Sequence, residues 1–247
     1  MPVQAIICDW NGTIIGHRNE RPILEHIAVS IFRACFPLRV TRMVRILRAR
    51  RRLRELHIGE RVDDDFDFVR EMFAVYNRII ISGVPVSWID RAVEDYADKA
   101  ETQAQLDRRV LCVVRDCHQA GTITGILSAG YGRGIEAILS AAGYIGFFDF
   151  VAGDGLDESR GKALGFRLDI YRHKHEYLAA LLQEHGLDAQ HVVYIGDSDD
   201  DEGCFDLVGH PVVAFLADEH LRTRCVRRYG AFAPADEREL SAYLRNA

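Results

Sequence analysis

The sequence predicts an α/β protein with a doubly wound, mostly parallel sheet and an inserted all-α segment. Two observations predict this fold. Apolar runs that lead into glycine and acidic residues occur at 5–13 and again at 191–201, as expected of buried strands that end at a ligand crevice. Strand-like and helix-like segments alternate from residue 107 onward, whereas residues 16–101 give helical signals alone.

The first predicted strand delivers an aspartate into a turn. The apolar residues Ala5–Cys8 precede Asp9, and Asn11-Gly12 then marks a sharp turn. A carboxylate at this end of a strand can act as a covalent nucleophile toward a phosphoryl group. For this segment alone, an Asx turn after a core strand is the alternative interpretation.

The helical insertion is expected at 16–101, which leaves 1–15 and 102–247 for the α/β domain. Pro22 and Pro85 suit the first turns of helices, and the acids from Asp63 to Asp65 suit a helix N-terminus. The predicted helices are Pro22–Phe36, Leu38–Ile58, Asp63–Ile81 and Pro85–Gln105.

One predicted helix of the insertion is rich in arginine. The segment Arg39–Arg54 has an apolar stripe at helical spacing, formed by Val40, Met43, Val44 and Leu47. A packed helix with a solvated face, attraction of an anionic substrate, and contact with nucleic acid or an acidic membrane are all open interpretations. Its eight arginines are 39, 42, 45, 48, 50, 51, 52 and 54.

The alternating pattern then resumes. A strand at Thr122–Leu127 ends at Ser128, which is followed by the glycine-rich stretch Ala129–Gly134. Such a loop can offer N–H groups and a hydroxyl to phosphate oxygens. The other predicted elements are helices at Asp107–Ala120, Ile135–Ala142 and His175–His185, and strands at Phe148–Ala152, Val192–Gly196 and Val212–Phe215.

The second acidic cluster indicates a cation site. Five acids lie within Asp197–Glu202, where their mutual repulsion would cost stability in a merely structural loop. Carboxylate oxygens suit Mg²⁺, although solvated surface acids are the alternative. Lys174, at the start of a predicted helix, can supply positive charge beside a phosphate and a carboxylate.

Together and in this order, these pieces resemble the haloacid dehalogenase-like hydrolase superfamily. Asp9-x-Asn11-Gly12-Thr13 looks like the first motif of that superfamily, Ser128 the second, Lys174 the third and Gly196-Asp197-x-x-x-Asp201 the fourth. The spacing from Lys174 to Asp197 is similar to that of the phosphoserine-phosphatase-like branch. The resemblance implies a Rossmann-like core and a helical cap domain that selects the substrate.

The resemblance also implies a role for each residue. Asp9 would attack phosphorus and form an aspartyl-phosphate, while Ser128 and Lys174 hold the phosphoryl oxygens. Asp201 would support the metal directly or through Lys174. The implied Mg²⁺ ligands are Asp9, Asn11 through its backbone carbonyl, Asp197 and Asp201. The expected substrate contacts come from Gly12, Thr13, Ser128, Ala129 and Gly130, with His17, Arg18 and Arg133 as further candidates.

Asn11 departs from the family pattern. Phosphatases of the family usually carry an aspartate there, which protonates the leaving group and then activates water. An amide cannot transfer a proton at ordinary pH, and general acid–base help is typically worth about 10²–10⁴-fold in rate. His17 is the nearest candidate replacement in the sequence. A substrate with a good leaving group, a phosphotransferase or a catalytically impaired relative are the alternatives.

Composition agrees with a cytoplasmic enzyme that has no membrane span. The chain has 247 residues, is 48% hydrophobic and carries a net charge of −6, which argues against general nucleic-acid binding. No run reaches transmembrane length, and the six cysteines show neither zinc nor disulfide spacing. Neither the substrate nor the oligomeric state can be read from the sequence.

Three functions therefore remain open. The first is a Mg²⁺-dependent phosphohydrolase that acts through phospho-Asp9 on a small phosphorylated molecule. The second is an impaired relative, or a phosphotransferase, marked by Asn11. The third is an interaction protein that uses the Arg39–Arg54 helix on RNA or an anionic lipid.

Overall fold

The computed structural model describes residues 3–17, 19–36, 40–59 and 67–247. The chain divides into two compact units. The first unit comprises Met1–Glu20, Ala97–Asp154 and Asp169–Ala247, and the second comprises Arg21–Tyr96 and Gly155–Leu168. The segment Gly155–Leu168 thus joins the inserted unit from a distant part of the sequence.

The first unit is built on a five-stranded sheet in the order β3-β2-β1-β6-β7, with every neighbouring pair parallel. A separate antiparallel pair, β4 and β5, lies in the second unit. The strands are β1 (Ala5–Cys8), β2 (Ile123–Tyr131), β3 (Phe150–Asp154), β4 (Leu156–Ser159), β5 (Lys162–Phe166), β6 (Val192–Gly196) and β7 (His210–Val213).

The second unit contains the first four helices, which are α1 (Arg21–Cys35), α2 (Val40–Gly59), α3 (Phe68–Val75) and α4 (Val86–Ala97). A π-helical segment, Tyr76–Ile81, continues α3. Asn77 of this segment clamps the hairpin, because its amide donates to the Phe166 carbonyl and accepts from the Phe166 N–H, both at 2.8 Å. The unit is therefore helical with an added two-stranded sheet.

The other helices of the first unit cover the sheet. They are α5 (Ala100–Gln103), α6 (Arg108–Gln119), α7 (Gly132–Ala141), α8 (Lys174–Glu184), α9 (Glu202–Leu207), α10 (Glu219–Tyr229) and α11 (Glu237–Asn246). Aspartates cap three of them, since Asp107, Asp218 and Asp236 accept hydrogen bonds from first-turn N–H groups of α6, α10 and α11. Leu178 and Phe205 help form the core between the sheet and the helices.

The predicted fold class is confirmed: the core is a mostly parallel, Rossmann-like α/β sheet. The predicted strands at 122–127, 148–152, 192–196 and 212–215 all overlap observed strands. The hairpin of β4 and β5 and the helices α10 and α11 were not predicted. The predicted helix starts at Leu38 and Asp63, and Arg39 itself, lie outside the described residues.

The arginine-rich helix α2 is present, but its predicted apolar stripe is not its buried face. Val40, Val44 and Leu47 are exposed, whereas Ile46 and Ala49 are buried. These two sets lie on opposite sides of a helix with 3.6 residues per turn. The sequence pattern therefore identified the helix, and the structure shows that other residues form its buried side.

Candidate active site

The site is assembled at the carboxyl edge of the sheet, where β1 lies between β2 and β6. Cys8 is level with Ile126 on one side and Ile195 on the other. The Asp9 N–H donates to the Ile195 carbonyl at 2.8 Å, which extends this register by one residue. Asp9 and Asp197 therefore follow neighbouring strands, and Ser128 lies in β2 at the same edge, where open α/β sheets bind ligands.

A buried lysine links two buried aspartates. The Lys174 Nζ atom lies 2.9 Å from Asp9 Oδ1 and 2.8 Å from Asp201 Oδ1. Burial opposes the charge on the amino group, but the two aspartates outweigh it and raise the pKa of Lys174. Burial raises the pKa of Asp9 to about 6, although Lys174 pulls it down. At neutral pH, Asp9 is thus mostly ionised and Lys174 is charged.

Asp201 holds the site together through hydrogen bonds. Its Oδ1 atom accepts from Lys174 and from the Tyr194 hydroxyl, both at 2.8 Å. Its Oδ2 atom accepts from the N–H groups of Asp197 and Ser198 at 3.0 Å and from the Ser198 hydroxyl at 2.9 Å. Burial alone would raise the pKa of Asp201, but Lys174 and these hydrogen bonds hold it below its usual value.

These five hydrogen bonds decide how Asp201 can act. A carboxylate offers about four lone-pair sites, so the donors around Asp201 already use its accepting capacity. Asp201 is consequently suited to fixing Lys174 and the turn after β6.

Three carboxylates converge where a cation could bind. One carboxylate oxygen from each of Asp9, Asp197 and Asp201 lies within 4.8 Å of the others. Gly12 makes room for Asp197: its φ is +73°, and a Cβ atom there would lie 2.0 Å from Asp197 Oδ2. The buried Thr13 hydroxyl lies 3.5 Å from Asp197 Oδ1.

Ser128 lies in a strand rather than in a loop. β2 continues to Tyr131 with a register irregularity after Ser128, and α7 begins at Gly132, earlier than predicted. The Ser128 side chain is buried, and its hydroxyl accepts from the Gly130 N–H at 3.1 Å. The predicted loop Ala129–Gly134 is therefore the end of a strand and the first turn of a helix.

Glu20 is a buried carboxylate of the site that the sequence analysis missed. Its Oε1 atom accepts from the Asn11 side-chain amide at 2.9 Å. A Cβ atom on Gly130 would lie 2.4 Å from the same oxygen, so Glu20 lies against both the turn after β1 and the end of β2. Burial raises the pKa of Glu20, while Asn11 and the Tyr131 backbone oppose the rise. No sequence motif identifies Glu20, because its partner Asn11 is nine residues away along an irregular segment.

His17 and Arg133 are two further predicted substrate contacts. His17 is partly buried, which lowers its pKa, and Arg133 is exposed in the first turn of α7. Arg18 lies outside the described residues.

The chain belongs to the haloacid dehalogenase-like hydrolases, whose family model matches residues 6–206. The match begins at β1 and reaches α9, so it contains every motif of the site. No curated protein sequence matches the chain.

Solved structures with the same fold include three informative examples. A substrate-bound phosphoserine phosphatase is 14% identical with a TM-score of 0.59, and the alignment covers 98% of this chain and 99% of that one. Cytosolic 5′-nucleotidase IIIB bound to cytidine is 20% identical with a TM-score of 0.60, and the alignment covers 99% of this chain and 86% of that one. A Bordetella pertussis Tohama I protein of unknown function is 16% identical with a TM-score of 0.67, and the alignment covers 94% of this chain and 98% of that one.

Proposed function

We propose that the protein is a Mg²⁺-dependent phosphohydrolase that forms an aspartyl-phosphate on Asp9. The observation that carries this proposal is the buried group in which Lys174 lies within 2.9 Å of both Asp9 and Asp201. Phosphoryl transfer chiefly requires positioning and neutralisation of charge. The Asp9 carboxylate is positioned by the buried ammonium group of Lys174, which also supplies positive charge at this edge of the sheet.

In the first step, a carboxylate oxygen of Asp9 attacks phosphorus and the bond to the leaving-group oxygen breaks. Lys174 neutralises charge on the phosphoryl oxygens, and the Ser128 hydroxyl donates to one of them. In the second step, water attacks phosphorus, the acyl-phosphate bond breaks, and inorganic phosphate leaves as the Asp9 carboxylate is restored. Asp9 is mostly ionised at neutral pH, as the first step requires.

The donor set of the site fits Mg²⁺. The ion would be held by Asp9, by Asp197 and by the backbone carbonyl of Asn11, since hard oxygen ligands suit it. Asp201 would act through Lys174, because its oxygens already accept five hydrogen bonds. When bound, Mg²⁺ supplies charge stabilisation for the phosphoryl oxygens.

Asn11 shapes the rate we expect. Its amide nitrogen donates to Glu20, so the side chain is held in place with no proton to give to a leaving group. We therefore expect slow turnover of esters with poor leaving groups and faster turnover of activated ones. The substrate class is a small phosphorylated molecule, an expectation supported by the fold shared with a phosphoserine phosphatase and a 5′-nucleotidase.

Trapping the covalent intermediate tests this proposal. The wild type, incubated with Mg²⁺ and p-nitrophenyl phosphate and quenched in acid, should gain the mass of one phosphoryl group on Asp9. Asp9→Asn should gain none. Asp199→Asn is the matched control, because Asp199 is an exposed acid of the same cluster that pairs with Arg224 outside the site. It should label like the wild type.

The outcome also separates the impaired relative from the working enzyme. Labelling with repeated release of phosphate supports a hydrolase. Stoichiometric labelling without release would indicate that the second step is lost. No labelling of the folded wild type, with or without Mg²⁺, would reject Asp9 as a nucleophile.

A further inference from the structure

We propose that the outward face of α2 is a docking surface for a membrane rich in anionic lipids. This surface, the arginine–valine face, consists of Val40, Val44, Leu47 and the exposed arginines that flank them. It lies entirely within the second compact unit. The inference is independent of the phosphatase chemistry proposed above.

The apolar part of this face is exposed to a degree that folding does not explain. The exposed fractions are 63% for Val40, 40% for Val44 and 53% for Leu47. Val40, Val44 and Leu47 follow the spacing i, i+4 and i+7, so they form one stripe along the helix. A contiguous exposed apolar stripe is typical of an interaction site rather than of an ordinary surface.

The charge of α2 selects the kind of partner. Between Val40 and Gly59 the sequence has seven arginines against the single acid Glu55, although the whole chain carries −6. Arg51 and Arg52 share Glu55 in exposed ion pairs. Within the part of the chain that the structure describes, Arg45 and Arg48 form no ion pair. The stripe is thus bordered by positive charge that an anionic surface would neutralise.

A groove beside the stripe supports a lipid partner. It has a volume of about 260 Å³ and lies between α1 and α2, where Phe32, Val29 and Leu47 form apolar walls and Arg33 and Arg50 lie beside them. Apolar walls next to guanidinium groups match an acyl chain below an anionic headgroup. Amphipathic helices with aliphatic side chains on one face and arginines around it bind the membrane interface in this way.

Two other partners fit the face less well. A second copy of the chain would pair this face with itself in a two-fold dimer, which would bring two sets of arginines together. RNA would engage the arginines through its phosphates, but the bare aliphatic stripe would add nothing to that contact. An anionic bilayer uses both the charges and the stripe.

The test is flotation of the purified full chain with vesicles. We expect binding to vesicles of phosphatidylcholine with one-third phosphatidylglycerol, little binding to pure phosphatidylcholine, and weakening at high salt. Arg45→Gln with Arg48→Gln should lower the affinity by about 25-fold, since each basic residue near such a surface contributes about fivefold. Val40→Ser, Val44→Ser and Leu47→Ser together should lower it by more than about tenfold.

The matched control removes exposed apolar side chains elsewhere. Leu164→Ser, Leu216→Ser and Val226→Ser change three comparably exposed residues outside α2 and should bind vesicles like the wild type. Thermal unfolding of each variant checks that its fold is intact.

Several results would overturn the proposal. Absence of flotation of the folded wild type, or equal binding to neutral and anionic vesicles, would reject an anionic membrane. A dimer in sedimentation that the stripe variant dissociates would assign the face to a second copy. Binding to single-stranded RNA that survives the stripe variant, without vesicle binding, would assign the arginines to nucleic acid.

Discussion

Replacing Asn11 by aspartate should accelerate the enzyme that we propose. The Asn11 side chain lies at the turn after the nucleophile strand, and its amide nitrogen is 2.9 Å from Glu20 Oε1. The substitution Asn11→Asp keeps the backbone and the shape of the side chain while introducing a carboxyl group that can carry a proton. It also places two carboxyl groups side by side where burial already raises the pKa of Glu20.

The expected size of the effect follows from this geometry. Two unit charges about 4 Å apart interact by about 4 kcal/mol at an effective dielectric constant of about 20, which corresponds to about three pKa units. The two carboxyl groups would therefore share one proton at neutral pH. A carboxyl group that retains a proton there can protonate a leaving group, and such catalysis is typically worth about 10²–10⁴-fold.

Comparing the rates with two substrates measures the contribution of this proton transfer. The phenolate released from phenyl phosphate needs protonation more than the p-nitrophenolate released from p-nitrophenyl phosphate. Asn11→Asp should thus raise the rate with phenyl phosphate by at least 100-fold and with p-nitrophenyl phosphate by much less. Adding Glu20→Gln to Asn11→Asp removes the repulsion, so it should shift the optimum of the phenyl phosphate reaction to lower pH.

Equal acceleration of both substrates would refute the reasoning, because a proton donor must favour the poorer leaving group. A folded Asn11→Asp variant that still forms the aspartyl-phosphate yet gains no rate with phenyl phosphate would refute it as well. In that case the leaving group obtains its proton from elsewhere, and Asn11 is not what limits turnover.

Four further predictions follow from the same group of residues. The pKa of Asp9 in the folded protein, about 6, exceeds its value in the unfolded chain, so this carboxyl group destabilises the fold as pH rises from about 4 to 6. Asp9→Asn should therefore be more stable than wild type at pH 7 by up to about 3 kcal/mol. Urea unfolding in the presence of EDTA measures this gain, which should disappear near pH 4. Lys174→Met leaves two buried carboxylates without a counter-charge and should lower the unfolding free energy by about 3–5 kcal/mol. Ser128→Ala removes a hydrogen bond to a charged phosphoryl group, so kcat/KM should fall by about 10–100-fold, and it also removes the acceptor of the Gly130 N–H, so the unfolding free energy should fall by about 1–3 kcal/mol. Mg²⁺ at 100 times its Kd should raise the unfolding free energy of wild type by about 2.7 kcal/mol, and this gain should shrink in Asp197→Asn but persist in Asp199→Asn.

The sequence predicted the core because its strands are short, apolar and bounded by glycine and acids. Ala5–Cys8 and Val192–Gly196 are buried along their full length, so their composition alone identifies them as central strands. The hairpin at Leu156–Ser159 and Lys162–Phe166 gives no such signal, because its first strand is largely exposed and polar. Its partner in the fold, Asn77, is 89 residues from Phe166, and no local pattern reports a pairing at that distance.

The candidate site was predictable where residues lie near strand ends and, for Lys174, where the family motif indicated a charge beside a carboxylate. Asp9, Ser128 and Asp197 could be placed together because parallel strands end at one edge. Whether Asp201 supports the metal directly or through Lys174 could not be deduced from the sequence. The answer depends on five hydrogen-bond donors, which include the distant Lys174 and the buried Tyr194 hydroxyl. Glu20 was not predicted for the same reason, because only the folded chain brings it next to Asn11 and to the backbone near Ser128.

The exposure of the apolar stripe on α2 has a physical cause that bears on what the helix does. An apolar stripe predicts burial only when a helix has one such stripe, and α2 has two. Ile46, Ala49 and Leu56 are buried, which satisfies the packing requirement of the fold. The second stripe, of Val40, Val44 and Leu47, is therefore left over after folding, and exposed apolar area in water carries a free-energy cost that some partner can remove. Within the described residues, no helix is long and apolar enough to cross a membrane.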